Sequence, residues 1–227
     1  MSTENKNRVC PVENAGGLDT FIRRIGQNPR RLLKSYVRAG MTVLDLGCGP
    51  GFFTAEMARM LDGSGKVIAA DLQQGMLDKV RGKIRGTELE RRIELHKCQQ
   101  ARIGVSEKTD FVLAFYVIHE MPDHDAAFAE LRSILKPKGK LYIVEPKHHV
   151  SKREFEEMVE KANRNGFAVV QRPSILFSRA VVLIGMGGDG AWSAPGTPFQ
   201  GSSHQEWPFA SACLTMGFSR VSTKSAR

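Results

Sequence analysis

Short apolar runs and amphipathic segments take turns along most of this chain. From Met41 the order is MTVLDL, FFTAEMARML, KVIAADL, QQGMLDKVRGKI, RIELHKC, FVLAFYVIH, a helix-period segment around residues 125–135, and KLYIVEP. The apolar runs have the length of strands buried on both faces, and the segments between them repeat their apolar positions at the helical period. Parallel strand neighbours need a crossover of about a dozen residues, which these segments supply. The pattern therefore predicts a doubly wound α/β domain with a mostly parallel sheet.

The flanks extend this frame. Residues 18–25 read as a short amphipathic helix. Asn28 followed by Pro29 is a cap and first-turn signal for a second helix, with Leu32, Leu33, Tyr36 and Val37 at helical spacing. Ser151 opens a later helix that runs to about Asn165, with Glu154 as its capping-box partner and Gly166 as its stop. GFAVVQ and RAVVLI follow with seven residues between them, too few for a crossover helix. They predict an antiparallel hairpin at one sheet edge, which brings the sheet to seven strands. Gly, Pro and Ser supply 17 of the last 43 residues and no period persists there. Three parts result: a helical arm at 1–40, the α/β domain at 41–184, and an irregular appendage at 185–227.

Composition narrows the class. A chain of 227 residues with 41% hydrophobic residues is an ordinary globular one, long enough for one domain with additions. The longest apolar run, residues 111–118, is far short of a membrane span, and the start MSTENKNR has no apolar signal region, so a cytoplasmic location is expected. Cys10, Cys48, Cys98 and Cys213 lie far apart without a CxxC pair, and His148 and His149 are adjacent without a carboxylate at ligand spacing. Neither a metal site nor a disulfide framework is expected. The net charge of +9 is concentrated at 1–40, which holds eight basic and three acidic groups, Arg23 and Arg24 among them. Such an arm suits an anionic substrate, a nucleic acid or an acidic membrane surface, and equally a solvated helix face.

The segment with the most chemistry is Val43-Leu44-Asp45-Leu46-Gly47-Cys48-Gly49-Pro50-Gly51-Phe52-Phe53-Thr54. An apolar strand ends near an acid, glycines follow at alternate positions, and a helix begins near Phe52. Glycines serve where backbone turns tightly and approaches a ligand, and the helix start behind them offers free N–H groups. A dinucleotide fingerprint, GxGxxG, would need glycine where Phe52 stands. The acid at 45 would repel a pyrophosphate but attract an ammonium group. The tail formally repeats GxGxxG at Gly185, Gly187 and Gly190, but Pro195 and Pro198 follow in place of a helix, which excludes a dinucleotide site there.

DLGCGPG resembles the first motif of the class I S-adenosylmethionine-dependent methyltransferases, and the similarity runs over residues 28–183. The resemblance implies a Rossmann-like methyltransferase fold and S-adenosyl-L-methionine as cofactor. It implies a cofactor loop of Asp45, Gly47, Cys48, Gly49, Pro50, Gly51, Phe52 and Phe53. Asp71, closing VIAAD, matches the family's second acid and would accept hydrogen bonds from the ribose hydroxyls, with Leu72 and Met76 flanking ribose and adenine. The family's third acid is replaced: Gln99 and Gln100 stand there, and a glutamine carbonyl can still accept from the adenine amino group. Phe115 fits a cofactor wall and a core position equally well.

The region TDFVLAFYVIHEMPDHDAAFAELRSILKPKGKLYIVEP is similar to small-molecule members of the family, including those that methylate quinone precursors. The resemblance implies methyl transfer by in-line displacement, with the protein mainly positioning the reactants. A base is required only when the acceptor arrives protonated. His119, Glu120, Tyr116 and Glu145 are the candidate catalytic residues, with His148 beside them; His119 fits the holding of its own loop as well. By the same resemblance the arm at 1–40 would act as a lid, and its arginines suggest an anionic small-molecule acceptor. An RNA or protein acceptor, a non-catalytic binding domain and an oxidoreductase are the alternatives.

Overall fold

The computed structural model describes residues 28–186. The expected helix at 18–25, Arg23, Arg24, Cys10, Cys213 and nearly all of the appendage at 185–227, with its glycine pattern, lie outside the described residues. Seven strands form one sheet: β1 (Thr42–Leu46), β2 (Lys66–Asp71), β3 (Ile93–Lys97), β4 (Thr109–Phe115), β5 (Leu135–Pro146), β6 (Phe167–Gln171) and β7 (Ser178–Gly185). Their order is β3-β2-β1-β4-β5-β7-β6. The first five in that order are parallel, and β7 runs antiparallel to both β5 and β6, as the short β6–β7 connection requires.

The helices are α1 (Pro29–Leu33), α2 (Phe52–Met60), α3 (Gln74–Ile84), α4 (His124–Ile134) and α5 (Lys152–Arg164). Alternate strand residues face opposite sides of the sheet, which is why the strands are apolar throughout. Val43, Val67, Phe111, Leu113 and Val182 pack with Phe53, Met57, Leu77 and Val80 of α2 and α3. Their neighbours Leu44, Ile68, Val112, Ile143 and Val181 pack with Phe128, Leu131, Phe155 and Val159 of α4 and α5 on the other face. Among the described residues no helix is long and apolar enough to cross a membrane.

Local signals work as the side chains dictate. Asn28 accepts a hydrogen bond from the Arg31 N–H at 3.3 Å, and Ser151 and Glu154 form a complete capping box on α5. α1 is a single short turn, yet the chain after it belongs to the core. Leu33, Tyr36 and Val37 are buried, the Tyr36 ring stacks on Phe111 with centroids 5.8 Å apart, and its hydroxyl donates to Gln171 Oε1 at 2.8 Å. β5 starts earlier than KLYIVEP: Leu135 already pairs with Thr109, and the register slips before Phe111 pairs with Lys140. The KPKG segment supplies that irregularity, with Lys138 at φ +66°.

The chain winds outward from β1 through β2 to β3, then returns to place β4 on the other side of β1. The sheet therefore has its topological switch point between β1 and β4, and the loops after these two strands diverge there. A crevice at the carboxyl ends of the strands is the consequence.

Candidate functional site

A cleft of about 510 Å³ opens at that switch point. Of the sequence-predicted residues it is lined by Asp45, Gly47, Cys48, Gly49, Pro50, Phe52, Phe53, Asp71, Leu72, Met76, Gln99, Gln100, Phe115, Tyr116, His119 and Glu120, and by His148. Gly51 and Glu145 are not in the lining. The cleft also takes in Gln73, Cys98, Arg102, Ile103, Val117, Met121, Pro122, Pro146 and His149, which no motif marks. Nearly all of these follow a strand end by a few residues, so the strand pattern was the available signal.

The loop after β1 is tied down by its own backbone. Gly47 and Cys48 donate to the Ala70 carbonyl at 2.8 and 3.0 Å, and Gly51 donates to the Cys48 carbonyl at 3.0 Å. Gly47, Gly49 and Gly51 all have positive φ. A Cβ on Gly47 would lie 2.5 Å from Val117 Cγ2, whereas one on Gly49 would meet nothing within 4 Å. Only Gly49 therefore leaves its space to the cleft. Gly47 instead lets the loop after β4 dock against the loop after β1, a role that spacing alone does not distinguish from ligand approach. Behind the loop, α2 begins without a side-chain cap on its first amides.

Two carboxylates flank this loop. Asp71 Oδ2 accepts from the Gly49 N–H at 2.9 Å and Oδ1 from the Gln73 N–H at 2.7 Å, so the second acid orients the glycine loop as well as the segment leading into α3. Burial raises its pKa, against the backbone hydrogen bonds and the charge of Lys97. Asp45 is 2% exposed, and its Oδ2 accepts from Thr54 Oγ1 at 2.5 Å. Burial pushes the Asp45 carboxyl up to about 7, against the pull of the Thr54 bond and with the charge of Asp71 adding to the rise. Cys48 and Cys98 are free thiols in the same wall; burial holds Cys48 well above the ordinary thiol range and pushes Cys98 up to about 12. Both are neutral packing groups at neutral pH. Gln99 and Gln100 sit on the exposed edge of the cleft, where Gln99 and Arg102 exchange backbone hydrogen bonds of 2.9 and 3.2 Å around a tight turn.

The other wall is aromatic. Phe115 is buried between Phe53 and Tyr116, with ring centroids 4.5 and 4.4 Å away, so it is at once a core residue and part of the lining. Tyr116 breaks β4 at φ +59°, its N–H donates to the Val144 carbonyl at 2.8 Å, and its hydroxyl shares a 2.6 Å hydrogen bond with Ser178. Burial raises the Tyr116 pKa, so the phenol stays protonated. The kink turns the chain into a 3₁₀ turn at Ile118–Glu120, which carries His119 over the end of β5.

There Glu145, fully buried, holds the imidazole: Oε2 lies 2.5 Å from His119 Nδ1, and Oε1 accepts from the His119 N–H at 3.3 Å. Burial pulls the His119 pKa down, but the hydrogen bond and charge of Glu145, with Glu120, raise it above the ordinary imidazole value. Glu145 is itself raised by burial, against the pull of His119. The candidate residues thus divide by position: Tyr116, His119 and Glu120 face the cleft, and Glu145 stands behind His119.

The chain is similar to known proteins. A family model described as a methyltransferase domain matches residues 38–192. A demethylmenaquinone methyltransferase of Lactobacillus johnsonii is 36% identical over 140 residues, which are 61% of this chain and 57% of that protein. The ubiquinone/menaquinone biosynthesis C-methyltransferase of Escherichia coli is 32% identical over 112 residues, 49% of this chain and 45% of that protein. The chain thus spans about half the length of the curated relatives it matches. The crystal structure of a SAM dependent methyltransferase from Aquifex aeolicus superposes with a TM-score of 0.69 at 25% identity, covering 77% of this chain and 98% of that one. With the seven-stranded sheet, its switch-point cleft and the family match over more than half its length, the chain belongs to the family of S-adenosylmethionine-dependent methyltransferases.

Proposed function

We propose that the protein transfers a methyl group from S-adenosyl-L-methionine to a small-molecule acceptor in the switch-point cleft. The observation that carries this reading is the pairing of an open glycine position, Gly49, with Asp71, whose two oxygens already face the loop and the start of α3. The residues present fit the cofactor. Asp71 can accept from ribose hydroxyls with its remaining lone pairs, Leu72 and Met76 can flank the adenosine, and Gln99 or Gln100 can accept from the adenine amino group. The uncapped start of α2 favours a carboxylate and Asp45 favours an ammonium group, which are the two ends of the cofactor's amino-acid moiety. Cys48, Pro50, Phe52, Phe53 and Phe115 supply the apolar wall. Bound there, the cofactor brings a methyl carbon already activated by a sulfonium, so the protein has to align the acceptor and exclude water.

On this reading the acceptor is of the kind that the names of the two curated relatives give, demethylmenaquinone or another intermediate of ubiquinone/menaquinone biosynthesis, and it is methylated at carbon, as the second name states for that protein. The basic groups of residues 1–40 add the expectation of an anionic acceptor, and unchanged turnover in Arg23→Ala and Arg24→Ala removes it. A cytoplasmic location and the three-part division at residues 40 and 184 belong to the same reading. No observation favours an RNA or protein acceptor, or a non-catalytic role. The test is calorimetric titration with S-adenosylmethionine and its demethylated product, followed by assay with reduced demethylmenaquinone. Binding that is undiminished in both Asp71→Ala and Gly49→Val places the cofactor elsewhere and ends the proposal.

A further inference from the structure

Resting on that reading, we infer that His119, held by the buried Glu145, is the group that takes a proton from the acceptor. The acceptor is accordingly one whose reacting atom becomes nucleophilic only when a conjugated hydroxyl is ionised. The geometry leaves little choice of atom. Nδ1 of His119 is committed to Glu145 Oε2 at 2.5 Å, and the other carboxylate oxygen holds the His119 backbone N–H at 3.3 Å. The imidazole is thereby fixed from two directions, and Nδ1 carries the shared proton, which leaves Nε2 as the basic atom of a ring that lines the cleft. Glu145 makes no contact with the cleft and is a positioning residue: it fixes the tautomer and offsets the imidazolium that forms.

The neighbours argue the same way. Tyr116 is protonated and tied to Ser178, so it orients and does not accept. Cys48 and Cys98 are neutral thiols. The groups whose charge acts on His119 are Glu145 and Glu120, which favour its protonated form. The ring centroid of His149 lies 5.8 Å from that of His119, and His149 stands beside His148. Burial lowers the His149 pKa, with the charges of His148 and His119 adding to the shift. The assignment to His119 rests on the buried Glu145 carboxylate held against its Nδ1.

The proton inventory closes without any further reagent. The acceptor's hydroxyl proton passes to His119 Nε2, and the electron pair released into the ring forms the new carbon–methyl bond. The pair of the broken carbon–sulfur bond stays on sulfur. The ring carbon then loses its own hydrogen as a proton, the ring returns to the hydroxyl form, and His119 gives its proton to solvent. One methyl is transferred and one proton is released.

Three measurements test this. The first is calorimetric titration of wild type and His119→Gln with the demethylated cofactor. Dissociation constants within about twofold of each other are expected, and absent binding by wild type defeats the proposed function, not the proton-transfer role. The second is an NMR titration of His119 in the protein without ligands. Its pKa is expected above the ordinary imidazole value and to fall in Glu145→Gln; an unshifted His119 that ignores Glu145→Gln overturns the pairing. The third is turnover of reduced demethylmenaquinone. His119→Gln is expected to lower kcat by about 10²- to 10³-fold with little change in KM, and to abolish the rise of kcat/KM with pH that ionisation of His119 produces. Glu145→Gln should shift that limb to lower pH, and Glu145→Asp should restore part of it. Retention of both rate and pH limb in His119→Gln overturns the assignment, and a wild type that binds cofactor but leaves this quinol unmethylated overturns the acceptor class.

Discussion

Asp45 is a buried carboxyl in the cleft wall beside the glycine loop. Its folded pKa of about 7 lies above the unfolded value, so the fold favours the protonated form. The stability it contributes is full below about pH 4 and is lost as pH rises through about 7, a change of the order of 4 kcal/mol. A cationic cofactor reverses the preference by favouring the carboxylate. Calorimetry near pH 6.5 in buffers of different ionisation enthalpy should therefore register proton release on binding that disappears in Asp45→Asn. The glycines give a second, contrasting pair. Gly47→Ala should lower stability by about 1–3 kcal/mol, because its Cβ meets Val117 and the residue has positive φ, and should displace the loop that carries His119. At Gly49 an added Cβ meets nothing within 4 Å, so Gly49→Val is expected to cost about 1–2 kcal/mol through its positive φ and to leave the fold intact while filling cofactor space. Thermal unfolding and calorimetric titration of the two variants separate these outcomes. Removing the Asp71 carboxylate in Asp71→Ala should weaken cofactor binding by about 10- to 100-fold, the size expected for hydrogen bonds to a charged group.

Elements differ in how directly they bear on the site. α5 is fixed by its capping box and packs on the face away from α2 and α3. Ser151→Ala should cost about 1 kcal/mol in chemical denaturation and leave cofactor affinity unchanged. β4 is the opposite case, since the residue that follows it, Tyr116, starts the kink that sets His119 over Glu145. The hydrophobic pattern specified β4 because seven residues buried on both faces can be nothing else at that length. The same pattern ran on through FVLAFYVIH and so concealed the kink, at which Tyr116 takes a positive φ while its N–H still bonds the Val144 carbonyl on another strand. The early start of β5 was hidden for a similar reason: it rests on a register slip against β4, and pairing partners are not written in a single segment.

At the scale of the whole molecule, the sheet order places both loops that build the cleft at one switch point, so ligand binding and folding are linked. Cofactor at about 100 times its dissociation constant should stabilise the protein by about 2.7 kcal/mol, read as a rise in Tm, and a nicotinamide dinucleotide should give no such rise. The chain's own pattern determined the elements, the alternation that buries both faces of the sheet, the edge hairpin and the glycine loop with its two acids. These are properties of consecutive residues, where periodicity and short spacings act. Only the tertiary structure decided that Gly47 makes room for Val117 while Gly49 faces the cleft, that Glu145 stands behind His119, and that Leu33, Tyr36 and Val37 of the N-terminal segment belong to the core. Each of these joins residues far apart in the chain, brought together by strand order and by the burial that fixes it.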